Sequence, residues 1–62
     1  MILLHYSENN VGEPLYVNKD KIDVVCRNLV TRDGSCVFVS GSDKPIKVQE
    51  TVSDIISEIN FE

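Results

Sequence analysis

The 62-residue chain contains no tryptophan, two phenylalanines and two tyrosines, so its core has to be built from Val, Ile and Leu. It lacks any apolar run near the roughly 20 residues that a membrane-spanning helix needs. Its start, MILLHYSENN, is apolar without a basic segment and soon turns polar, so no targeting signal is read there. The chain therefore reads as soluble and cytoplasmic. Its three glycines, Gly12, Gly34 and Gly41, stand alone, which excludes a phosphate-cradling run.

The residues that carry chemistry are also scarce. His5 is the only histidine, and it sits in an apolar, strand-like segment where a structural role outweighs a catalytic one. No carboxylate pair has D-x-D spacing and no E-x-x-H arrangement occurs. Cys26 and Cys36 are too few for a secreted disulfide framework, and they lack the C-x-x-C spacing of a zinc site. Lying in apolar runs, they read as reduced thiols buried in the core. These absences predict a protein that is not an enzyme, with no catalytic residues, cofactor or metal.

What is present makes one small domain over residues 1–62. Hydrophobic residues form 42% of the chain, enough for a folded core. At this length a homo-oligomer stays open, because surface that cannot be covered internally can be buried against a copy. The net charge of −4 is unevenly placed. Residues 1–47 balance Lys19, Lys21, Arg27, Arg32, Lys44 and Lys47 against six carboxylates, so the whole excess falls on Glu50, Asp54, Glu58 and Glu62. Nucleic-acid binding draws on clustered Lys and Arg, which are absent here, so the composition speaks against that partner.

Met1–Tyr6 reads as a first strand, followed by a polar turn from Ser7 to Glu13. Pro14 opens a second strand, Leu15–Val17, and Asn18–Lys21 is a turn or a single helical turn. From Ile22 strand-like composition runs to Thr31. Asp33-Gly34 then predicts a two-residue hairpin loop, which would set Val30 opposite Val37 and Leu29 opposite Phe38. Cys36–Ser40 and Ile46–Val48 complete five strands. The clearest element spans Thr51–Asn60, where Val52, Ile55, Ile56 and Ile59 make an apolar helical stripe. Thr51 and Asp54 form a capping-box-like pair at its start. The fold class is therefore α+β: a small antiparallel β meander or open barrel of about five short strands followed by one C-terminal amphipathic helix.

Glu50, Asp54, Glu58 and Glu62 recur every four residues. Like charges at that spacing repel by a few tenths of a kcal/mol, so local stability does not call for them. They read either as a solvated helix face or as a candidate protein-binding face for a basic partner surface.

Two segments carry a resemblance to a known family. Met1-Ile2-Leu3-Leu4, Gly12, Asn18 and Ile22, with Val48 to Ile59, are similar to the FlbD-type proteins, also called the swarming motility (SwrD) family. Residues 27–36 and the Gly41–Pro45 loop are longer than in typical members, and the chain ends Asn60-Phe61-Glu62 where members end in basic residues. The resemblance implies a small cytoplasmic accessory protein that binds another protein and is linked to flagellar or swarming function. Strand order and length also resemble the CsrA-type translational repressors. Those bind RNA through arginines where this chain has His5-Tyr6 and Gln49-Glu50. A CsrA-like nucleic-acid-binding regulator, or a phage or plasmid accessory protein, is the competing expectation.

Overall fold

In the computed structural model, which describes residues 1–61, apolar and β-branched segments form short strands whose side chains point alternately to the core and to the outer face. Along β1 (Ile2–His5), Ile2 and Leu4 are buried while Leu3 faces out. β1 pairs antiparallel with β2 (Pro14–Val17), placing Ile2 opposite Val17 and Leu4 opposite Leu15 on the core side. Between them the chain turns at Asn9 and Gly12, whose φ values are 63° and 86°. Asn18 then accepts a hydrogen bond from the Asp20 N–H and caps a 3₁₀ turn at Lys19–Lys21.

β3 (Ile22–Arg27), β4 (Ser35–Val39) and β5 (Ile46–Val48) form a second antiparallel sheet in that order. A bulge between Ile22 and Val24 shifts the β3–β4 register. The two sheets join where Tyr6 bridges Val48, with bonds from the Ser7 N–H to the Lys47 carbonyl and from the Gln49 N–H to the His5 carbonyl. Strands therefore follow one another as β2-β1-β5-β4-β3. This is the expected α+β architecture, with the five strands in two joined antiparallel sheets.

The β3–β4 connection differs from the sequence reading. β3 ends at Arg27, four residues before Thr31, and pairing sets Val25 opposite Val37 and Val24 opposite Phe38. The loop is Asn28–Gly34, so Asp33-Gly34 is its end and not its whole length. The cause is Asn28, which is 3% exposed. Its Oδ1 accepts from the Val30 N–H at 3.1 Å and the Thr31 N–H at 3.4 Å, replacing ladder bonds that a continued strand would make. Its carbonyl accepts from the Arg32 N–H at 2.8 Å, with Arg32 left-handed at φ 61°.

α1 (Val52–Phe61) closes the core against β1 and β3. The capping box is complete: Thr51 Oγ1 accepts from the Asp54 N–H at 3.1 Å, and Asp54 Oδ2 accepts from the Thr51 N–H at 3.4 Å. The apolar stripe is narrower than expected. Ile55 is fully buried and Val52 and Ile59 are half-buried, but Ile56 is 45% exposed. The small sheet receives one seam of the helix and leaves its flank in water. Ile55 joins Ile2, Leu4, Val17, Val37 and Val48 in the core, while Phe61 stands outside it. Among the described residues no helix is long and apolar enough to cross a membrane.

Candidate functional site

The four carboxylates of the expected acidic face do not act alike. Glu50 precedes the helix and turns inward, where Oε1 accepts from the His5 N–H at 2.9 Å and Oε2 lies 2.7 Å from His5 Nδ1. Its carbonyl accepts from Ser35 Oγ at 2.8 Å, which satisfies a fully buried hydroxyl. Glu50 thus clamps β1, through His5, and β4, through Ser35, to the start of the helix. Asp54 is an exposed member of the capping box, and Glu58 is exposed one helical turn on. Glu62 lies outside the described residues. Of the series, Asp54 and Glu58 alone are shown sharing an exposed helical face.

A contrast separates clamp from surface charge. Glu50→Ala is expected to lower unfolding free energy by about 1–3 kcal/mol, because it strips two bonds from a part-buried site. Glu58→Ala should change it by less than about 0.5 kcal/mol, and urea unfolding of the two variants checks both.

The Asn28–Gly34 loop is the feature that sequence reasoning missed. Leu29 is 80% exposed and Val30 88%, adjacent branched side chains held in water. Asn28 anchors the loop from beneath, and Thr31 Oγ1 donates to the Asp33 carbonyl at 2.9 Å. Gly34, at φ 72°, presses so closely on β5 that an added Cβ would overlap the Val48 carbonyl oxygen. Arg27 and Arg32 are both exposed and line a groove with Leu29. On the other side a cleft of about 410 Å³ is lined by Ser7, Glu8, Asn28, Thr31, Asp33, Gly34 and Gln49. The loop is thus a fixed apolar tip with cationic shoulders. Asn28, within an apolar run, was the signal available in sequence: an Asx turn needs only such a residue followed by amides it can reach.

The cysteines are also placed differently from expectation. Cys26 is exposed and Cys36 half-buried, both on the outer face of the β3–β4 pair beside Val24, Phe38 and Lys47. The inner face of this pair belongs to Val25 and Val37, so strand alternation turns both thiols away from the core. Burial first, and neighbouring Cys26 next, push the Cys36 thiol above its ordinary pKa, with Lys47 opposing them. Lys47 is paired with Glu8 at 3.2 Å.

Comparison with family models, curated proteins and solved structures yields no match to this chain.

Proposed function

We propose that this chain is a non-enzymatic accessory protein that binds another protein, and that the Asn28–Gly34 loop is its docking element. The carrying observation is the exposure of Leu29 and Val30 on a loop whose backbone is fixed by a buried side chain. A fixed loop loses little conformational entropy on association, so burial of the two side chains goes largely into affinity. Each contributes about 1.5–3 kcal/mol on full burial. Arg27 and Arg32 beside them fit a partner recess rimmed by carboxylates.

The likeness to FlbD-type proteins supports a flagellar or swarming context for that partner, in the cytoplasm. The positions that carry it have structural work here. Gly12 takes a positive φ, Asn18 caps a turn, Ile22 packs against the core, and Thr51 opens the helix. Asp54 and Glu58 offer a second, acidic contact on a separate surface.

The test is a double substitution, Leu29→Asp with Val30→Asp. Both side chains are exposed, so the variant should keep its fold by circular dichroism. Partner capture from an extract of the source cells should fall about a hundredfold or more. Capture at wild-type level by the folded variant would remove the loop from the interface.

A further inference from the structure

Cys26 and Cys36 are direct partners across the β3–β4 ladder, and neither is covered by the core. The Asn28 N–H bonds to the Gly34 carbonyl, which makes Asn28 and Gly34 a hydrogen-bonded pair. By antiparallel alternation Cys26 and Cys36, two residues along, form the next such pair, with Cα atoms about 5.5 Å apart. That separation lies in the roughly 5.5–6 Å range most common for disulfides, and both side chains leave the same face of the sheet. Among the described residues no group of three or more His, Cys, Asp and Glu could hold a metal ion, so these sulfurs are not part of a larger ligand set.

We propose that Cys26 and Cys36 are a dithiol modification site, closed to an intramolecular disulfide by exchange with a low-molecular-weight disulfide. The exposed Cys26 reacts first. Its thiolate attacks one sulfur of the small disulfide; a Cys26–sulfur bond forms, the small disulfide bond breaks, and one small thiolate leaves and takes up a proton. The Cys36 thiolate then attacks the Cys26 sulfur and expels the second small thiol. Two cysteine thiols are oxidised and one small disulfide is reduced to two thiols, so atoms and electrons balance. An exposed disulfide of this kind is readily reversed, unlike a buried structural bridge. It would tie β3 to β4 just below the Asn28 loop. The inference rests on strand register and stands apart from the docking proposal.

The wild-type chain, folded, is equilibrated in buffers of reduced and oxidised glutathione, alkylated and weighed intact. Both thiols should disappear together, with the mass of two hydrogens lost, no glutathione retained and the chain still monomeric on a non-reducing gel. Cys36→Ser, which removes the resolving thiol from the outer face of the sheet, should instead hold glutathione on the exposed Cys26 as a stable adduct. The equilibrium constant for ring closure should be at least about tenfold larger in the folded chain than in urea, because the strands pre-align the sulfurs. Glutathione retained on wild-type Cys26 with Cys36 free would overturn the proposal. So would cross-linked dimers, thiols unchanged at an oxidising poise, or a closure constant no larger folded than unfolded.

Discussion

Ile55→Ala is expected to lower the unfolding free energy by about 2–5 kcal/mol, whereas Ile56→Ala, one residue on, should change it by less than about 1 kcal/mol. The two isoleucines belong to the same apolar pattern in the sequence. Ile55 is fully buried among Leu4, Val37 and Val48, and its loss leaves a cavity that neighbouring strands cannot readily fill. Ile56 is nearly half exposed, and alanine is the better helix former, so the lost contacts are partly offset. A core this small rarely supplies more than about 3–5 kcal/mol in total, so Ile55→Ala should leave much of the population unfolded near room temperature. Urea denaturation monitored by circular dichroism separates the two outcomes. Equal effects would mean that the helix buries a wider stripe than the Ile55 seam.

Gly34→Ala is expected to destabilise by about 2–5 kcal/mol, well beyond the roughly 1–2 kcal/mol of Gly12→Ala or Gly41→Ala. All three glycines have positive φ, near 86°, 72° and 85° in chain order. Backbone strain on substitution is thus common to them. At Gly12 and Gly41 an added Cβ meets nothing within 4 Å. At Gly34 it runs into the β5 main chain at Val48, which is itself hydrogen-bonded into the sheet and cannot withdraw alone. The excess therefore measures how tightly the loop end is pressed onto β5. Melting curves for the three single variants give the comparison, and a Gly34→Ala loss no larger than that of Gly12→Ala would remove the close approach.

Much of the architecture was legible because local chemistry and global packing agree. The helix had a cap, an acidic reciprocal partner and a 3.6-residue stripe, and these alone fixed its start at Thr51. The short apolar composition of Met1–Tyr6 and the alternation of Ile46-Lys47-Val48 were equally plain. The β3–β4 connection was not, for two competing reasons. Leu29-Val30-Thr31 has strand composition, yet its amides bond to the Asn28 side chain and not to β4. Asp33-Gly34 is a strong hairpin signal, but here Gly34 serves a close approach to β5 at the loop's end. The same misplacement hid the candidate site, because residues assigned to a strand face cannot also be a displayed tip. By spacing, Glu50 belongs to an acidic series. Its bonds to His5 join residues 45 apart, which single-sequence periodicity does not encode.

The docking proposal depends on Asn28–Gly34 being a loop, and cross-strand proton contacts measured by nuclear Overhauser spectroscopy test this most directly. Alternation from the Asn28–Gly34 bond makes Val25 and Val37 a non-hydrogen-bonded pair, whose Cα atoms approach to about 4.5 Å. A strong contact between the Val25 and Val37 α-protons is the expected result, with Leu29 and Val30 showing none to β4. Strong α-proton contacts between Leu29 and Phe38 and between Thr31 and Cys36, the non-hydrogen-bonded pairs of a two-residue Asp33-Gly34 hairpin, would mean a continuous tight hairpin and would contradict the displayed loop.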